Sequence, residues 1–271
     1  MARQQLLRAL VEERVFAGER EATPWLPDFR AFATTVLGWG FSAKGYAGTA
    51  DSPIPPELEV PLPDYNETLR PDFAVREPEA QNGRPPWQLL VRIVEAGQDF
   101  DRPVRGEGHL EASAHGRMER LLRRTGVPAG LLFNGRALRL VSAPHGESSG
   151  WLEFRVADML QTAGRPISTA LRLLLSQSRL LSLPRAQRLA ALLDDSRKFQ
   201  NEVSERLAEQ VLHALYELLR GFQAAHETVR AAHCCAARLP ITQMTSTGRC
   251  SPSSFASCFS CSPRSGNAAR G

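Results

Sequence analysis

The middle of the chain carries the pattern that most restricts its fold. Residues 87–94 form a mostly apolar run of the kind that makes a buried strand. Residues 113–124 have the spacing of an amphipathic helix. Residues 129–133 and 137–141 flank Asn134-Gly135, which is the strongest short-range signal for a β-hairpin. A strand, a helix and a hairpin in this order predict a sheet with helices packed on it.

The rest of the chain completes an α+β or α/β front and a helical back. Helices are predicted at residues 3–18 and 28–37, a Gly- and Pro-rich loop at 38–63 with an edge strand at 58–60, and strands at 72–75 and 151–156. Residues 158–222 have a helical pattern with Leu-rich stripes. We therefore predict an α/β domain at residues 1–157 and a helical connector at 158–226, followed by a tail at 227–271.

The basic residues are almost all arginine. Of the 33 lysines and arginines, only Lys44 and Lys198 are lysine, and the net charge is +4. Arginine is the better bidentate partner for phosphate and guanine, which favours a nucleic-acid partner. A GC-rich genome accounts for the same bias. No apolar run approaches a membrane span and no signal peptide is recognisable, so a cytoplasmic protein without a membrane partner is expected.

The tail differs in composition from the remainder of the chain. All five cysteines follow His233, and Cys258 and Cys261 have CxxC spacing without a second pair or a suitable histidine. The sudden Cys and Ser content and the lost periodicity agree better with an out-of-frame, disordered tail than with a zinc site. An uninterrupted reading frame in the gene, with no coding for a further domain downstream, would contradict this interpretation.

Two carboxylates are the candidate catalytic and metal-binding residues. Asp72 begins a predicted strand and Glu95 ends the longest one, so both could hold Mg²⁺ at the ends of neighbouring strands. The position two residues after Glu95, where such sites usually have a lysine, is Gly97. Alternatively, Asp72 caps a turn and Glu95 is a solvated strand-end residue. The nucleophile elbow, the Walker loop, the zinc-protease motif and the methyl-donor loop are all missing from the sequence.

The order of these motifs resembles the N-terminal region of large bacterial restriction–modification DNA methyltransferases, of the type IIG kind and of DISARM-like defence systems. The likeness covers residues 1–226 and includes Pro71-Asp72, Glu95, the segment 130–135 and the helical stretch 176–225. The resemblance implies an α+β fold with a restriction-endonuclease-like mixed sheet and flanking helices, followed by an all-α connector that leads to a methyltransferase domain missing from this chain. It also implies that Asp72 and Glu95 match the acidic residues of a PD-(D/E)xK nuclease motif, with Gly97 in place of its lysine.

The expected function is therefore DNA engagement by a degenerate nuclease-like module, weak or inactive in cleavage. Mg²⁺ is the expected cofactor if the site is active, and no S-adenosylmethionine site is expected. DNA, the missing methyltransferase domain in cis and other defence-system proteins are the expected partners. A non-catalytic DNA-binding or scaffolding module and a non-functional remnant are the alternatives. The candidate DNA contacts are arginines on the amphipathic helix and the hairpin, namely Arg117, Arg120, Arg123, Arg124, Arg136 and Arg139; a solvated helix face is the competing interpretation.

Overall fold

The computed structural model describes residues 2–42, 44–79, 86–105 and 110–237. The chain divides into two compact units, Met1–Glu205 and Arg206–Gly271. The described helices are α1 (Ala2–Leu10), α2 (Phe29–Phe32, continued by a π-helical turn at Ala33–Leu37), α3 (Ala114–Thr125), α4 (Val156–Leu160), α5 (Arg165–Leu175) and α6 (Leu189–Ala237). Short turns of 3₁₀ or π helix occur at Pro56–Leu58, Pro63–Tyr65, Ser178–Ser182 and Arg185–Gln187.

In the described part of the chain, the first unit is built on a six-stranded mixed sheet. Its strands, in spatial order, are β12 (Gly150–Arg155), β11 (Ala137–Ser142), β10 (Gly130–Phe133), β7 (Trp87–Ile93), β6 (Phe73–Arg76) and β3 (Tyr46–Ala47). Neighbouring strands are antiparallel except β7 and β10, which are parallel and joined by α3. Among the described residues, three two-stranded ribbons accompany the sheet: β1 (Glu12–Arg14) with β2 (Thr23–Trp25), β4 (Val60–Leu62) with β5 (Glu67–Leu69), and β8 (Val104–Arg105) with β9 (Glu111–Ala112).

Apolar side chains leave the sheet alternately on its two faces, because successive residues of a strand point in opposite directions. Leu89, Val91 and Leu131 join a core that includes Leu7, Phe29 and Phe32 of α1 and α2 and Leu171 and Leu175 of α5. Leu90 and Leu132 join a second core with Met118, Leu121 and Leu122 of α3. Helices therefore cover both faces of the sheet: α1, α2 and α5 cover one face and α3 covers the other. A functional site is then expected at the ends of the strands.

The central prediction of strand, helix and hairpin is confirmed. Ser113 caps α3 by accepting a hydrogen bond from the Gly116 N–H, and Gly126 ends the helix in the left-handed conformation. In the hairpin, Asn134 Oδ1 accepts from the backbone N–H groups of Arg136 and Ala137. The sequence therefore specifies this part of the fold through local signals.

The first helix is shorter than its pattern predicts. It ends at Leu10, and residues 12–14 form β1 against β2 instead of continuing the helix to residue 18. Arg14 lies over the ring of Trp25, and Phe16 makes an edge-on contact with the same ring. These tertiary contacts outweigh the local helical preference.

The helical segment after residue 158 is confirmed as helical. Met159, Leu171, Leu175, Leu180 and Leu189 belong to the same core as the sheet. The boundaries predicted at 157/158 and 226/227 stay predictions. The structure continues α6 to Ala237, and the CxxC pair Cys258 and Cys261 lies outside the described residues. No helix among the described residues has the length and apolar character needed to cross a membrane.

Candidate functional site

Asp72 lies immediately before β6, and its side chain ties β6 to the end of β7. Its Oδ2 accepts a hydrogen bond of 2.6 Å from the Ile93 N–H, and its Oδ1 lies 3.3 Å from Nη1 of Arg92. Its own N–H donates to the Val91 carbonyl at 2.8 Å. Both carboxylate oxygens therefore already have a partner within the sheet.

Glu95 lies at the same end of the strands as Asp72. Because β6 and β7 are antiparallel, β6 begins just after Asp72 where β7 ends just before Glu95. The strand stops at Ile93, and Glu95 is exposed in a turn that is closed by a hydrogen bond from the Gln98 N–H to the Glu95 carbonyl. The structure thus places both predicted carboxylates at the same end of β6 and β7. Among the described residues, however, no group of three or more His, Cys, Asp or Glu side chains is arranged to hold a metal ion.

Gly97 stands in the left-handed conformation, with a φ of 77°. Its N–H donates to the Asn134 carbonyl at 2.9 Å, which fixes the turn against the β10–β11 hairpin. A Cβ at this position would lie 2.5 Å from Cδ1 of Phe16. A side chain at position 97 would therefore have to displace the ring of Phe16 and adopt a left-handed backbone.

A cleft of about 660 Å³ opens beside the end of β7. It lies between the β4–β5 ribbon, the end of β7 and the wall of α3, and its charged lining consists of Glu59, Glu67, Glu95, Arg70, Arg92 and Arg117. Glu95 lines this cleft, whereas Asp72 is not among its lining residues. We call it the β7 cleft.

Glu67 is a largely buried carboxylate in the lining of the β7 cleft. Its side chain is 10% exposed, and its Oε1 lies 3.1 Å from Nε of Arg117. Its Oε2 is buried and finds no hydrogen-bond partner among the described residues. Sequence reasoning did not single out Glu67, because nothing local distinguishes it from a surface glutamate on a short ribbon.

Arg117 is occupied inside the fold. Besides contacting Glu67, its guanidinium donates to the carbonyls of Val104, Leu110 and Ala112, each at 2.8 Å. These four contacts lock β8, β9 and β5 to the first turns of α3. Arg117 is thus placed to order the wall of the cleft.

Arg120 and Arg124 follow Arg117 along the same side of α3, since residues three and four apart share a helix face. Arg120 is partly exposed and lies 5.8 Å from the ring of Tyr65. Arg124 is exposed and makes no hydrogen bond or ion pair within the described part of the chain. Neighbouring Arg123 reaches Glu119 at 3.7 Å. We call Arg120, Arg123 and Arg124 the α3 arginine face.

The two hairpin arginines have internal partners. Arg136 pairs with Glu19 at 2.6 Å and lies over the Phe16 ring. Arg139 is only 4% exposed. It contacts Asp101 and Glu153, each at 2.6 Å, and lies over the ring of Trp151. The side-chain hydrogen bond from Arg139 holds the pKa of Asp101 below its usual value. The expectation that Arg139 contacts DNA is incompatible with this burial.

Comparison of the chain with protein-family models, with curated proteins and with solved structures gave no match.

The Gly97→Lys variant tests how strongly the turn at Gly97 disfavours a side chain. We expect a loss of about 2 to 3 kcal/mol in the free energy of unfolding, because the variant adds left-handed strain to an overlap with Phe16. We also expect no gain of DNA cleavage. Urea unfolding measures the first effect and plasmid nicking in Mg²⁺ or Mn²⁺ the second.

The control for this variant is Gln98→Lys, which adds the same side chain one residue later, at the lining of the β7 cleft. Its stability should stay within about 0.5 kcal/mol of the parent, as is usual for partly exposed sites. If Gly97→Lys were as stable as Gln98→Lys, the turn would not exclude a side chain.

Proposed function

We propose that this chain is a DNA-engaging module of nuclease-like fold that does not cleave DNA. We propose further that it acts as a module of a restriction–modification DNA methyltransferase, the class of protein that its sequence resembles. In the mixed sheet, a helix joins the parallel strands β7 and β10, and two carboxylates lie at the same end of β6 and β7. This arrangement supports the nuclease-like part of the proposal. The charge of α3 carries the DNA-engaging part.

The helix α3 has four arginines against one glutamate, and Arg120 and Arg124 lie on the same side of it as Arg117, which lines the β7 cleft. Phosphate contacts by arginine supply most of the affinity in sequence-independent DNA binding. The α3 arginine face is exposed enough to reach a backbone phosphate. Arg117 and Arg136 have partners inside the fold, and their contacts with DNA stay predictions.

Three positions support the proposal that the chain does not cleave DNA. Asp72 is bonded to the Ile93 N–H and Arg92, Glu95 stands beyond the end of its strand, and a side chain at Gly97 would overlap the ring of Phe16. The described residues add no third metal ligand to the first two. The carboxylate of Asp72 is already bonded within the sheet and would have to give up these contacts to bind Mg²⁺, which supports the proposal. The loss of the lysine normally removes orders of magnitude in rate.

Binding of the full chain to a labelled duplex, measured by fluorescence anisotropy over a range of salt concentrations, tests the proposal. In the Arg120→Ala/Arg124→Ala variant we expect the slope of log K against log salt to become shallower by about 2. The affinity near 0.1 M salt should fall on the order of tenfold for each arginine–phosphate interaction that the substitutions remove.

The matched control is Arg155→Ala, which removes an exposed arginine from the edge strand β12. It should leave the slope unchanged. Salt-dependent binding that loses the same slope in both variants would point to general charge attraction, and would contradict a role for the α3 arginine face.

A further inference from the structure

The second unit exposes a broad apolar surface along α6. Its large aliphatic and phenylalanine side chains, each 50 to 69% exposed, are Leu207, Val211, Leu212, Leu215, Leu218, Leu219, Phe222 and Val229. A single exposed leucine needs no explanation, but a contiguous apolar stripe of this length marks an interaction site. We call these eight residues the α6 apolar face.

The spacing of this face is that of a helix that pairs with another helix. Val211, Leu215, Leu218 and Phe222 follow each other at intervals of four, three and four residues, and Ala225 and Val229 continue the alternation. An average step of 3.5 residues keeps one seam facing a partner helix over several turns. Leu212 and Leu219 widen the seam on one side.

The charged residues of the same stretch are balanced. Arg206, Arg220 and Arg230 are matched by Glu209, Glu217 and Glu227, and Arg220 lies 3.4 Å from Glu217 on the same helix. Two copies of this helix would therefore meet without net repulsion. A nucleic acid would instead require a clearly basic face.

The exposed area is of the size that a stable dimer needs. Half-exposed side chains of this kind offer on the order of 100 Å² each, which makes about 800 Å² for the eight. A stable protein–protein interface buries about 800 Å² on each partner. The α6 apolar face can thus supply one side of such an interface by itself.

We propose that the α6 apolar face packs against the same face of a second copy of this chain, so that the protein is a homodimer held together by α6. Self-complementary spacing, balanced charge and sufficient area all favour a second copy as the occupant. This inference does not depend on DNA binding by the first unit.

Sedimentation equilibrium of the full chain tests the inference. A reducing agent is included because the chain has five cysteines. The parent protein should sediment with twice the chain mass of 29.9 kDa at micromolar concentrations. In Leu215→Glu/Leu218→Glu, two charges enter the middle of the seam, and the dissociation constant of the dimer should rise at least about 100-fold.

The control variant is Gln210→Glu/His213→Glu, which places two charges on the opposite, polar side of the same turns. It should remain dimeric, with unchanged helix content by circular dichroism. A monomeric parent protein, an aggregate without a discrete mass, a dimer that survives the Leu215→Glu/Leu218→Glu change, or equal dissociation of the control would each overturn the inference.

Discussion

The Gly48→Ala variant should lose more than about 4 kcal/mol in the free energy of unfolding. Gly48 follows β3 with a φ of 93°, and a Cβ there would lie 2.0 Å from the Asp72 carbonyl oxygen and 3.0 Å from Cα of Phe73. Because both obstacles are backbone atoms, neither can move aside by a side-chain rotation. The edge strand β3 would have to separate from β6, and Asp72 would be displaced from its position just before β6.

Gly18→Ala is the matched control for this prediction. Gly18 also has a positive φ, 86°, but nothing lies within 4 Å of a Cβ built there. It should therefore lose only the cost of a left-handed alanine, about 1 to 2 kcal/mol. Urea unfolding of both variants separates the steric part from the conformational part. Equal losses in the two would mean that the contact between Gly48 and Asp72 is not close.

The Arg139→Ala variant should lose about 3 to 5 kcal/mol, as is typical when one partner of a buried ion pair is removed. Glu153, only 16% exposed, would keep a buried charge without its main partner. Asp101 would be affected less, because its side chain is 60% exposed and can return to water. The packing of the guanidinium between Phe100 and Trp151 would also disappear.

Arg155→Ala is the control for this effect, because Arg155 contacts the same glutamate at 3.1 Å but is 69% exposed. Its loss should stay below about 0.5 kcal/mol. Adding Glu153→Gln to Arg139→Ala should recover part of the stability, since the unpaired charge is then removed. No recovery in the double variant would contradict the account that the buried charge dominates the loss.

The parts of the fold that sequence predicts well are those with local signals. The run at β7, the Ser113 cap of α3 and the Asn134-Gly135 turn each specify a conformation through neighbouring residues. The strand β3 has only two residues and lies in a Gly- and Pro-rich stretch, so periodicity cannot reveal it. Its place in the sheet depends on the non-local approach of Gly48 to Asp72.

The candidate site was predictable only in outline. Sequence places Asp72 and Glu95 at strand ends and shows Gly97 where a nuclease site of the expected kind would have a lysine. It does not predict that Asp72 is bonded to the Ile93 N–H, since that contact spans 21 residues and requires the strand register. Nor does it predict the internal role of Arg117, whose partner Glu67 is 50 residues away.

The most direct test of the central claim measures duplex binding and metal-dependent cleavage with the same full-length preparations. The variants are Asp72→Asn, which keeps an acceptor for the Ile93 N–H, and Glu95→Gln. We predict salt-dependent binding by the parent and both variants, with no nicking or cutting of plasmid DNA in Mg²⁺ or Mn²⁺. Cleavage by the parent protein that is lost in Glu95→Gln would show an active nuclease, and a failure of the parent to bind any duplex would contradict DNA engagement.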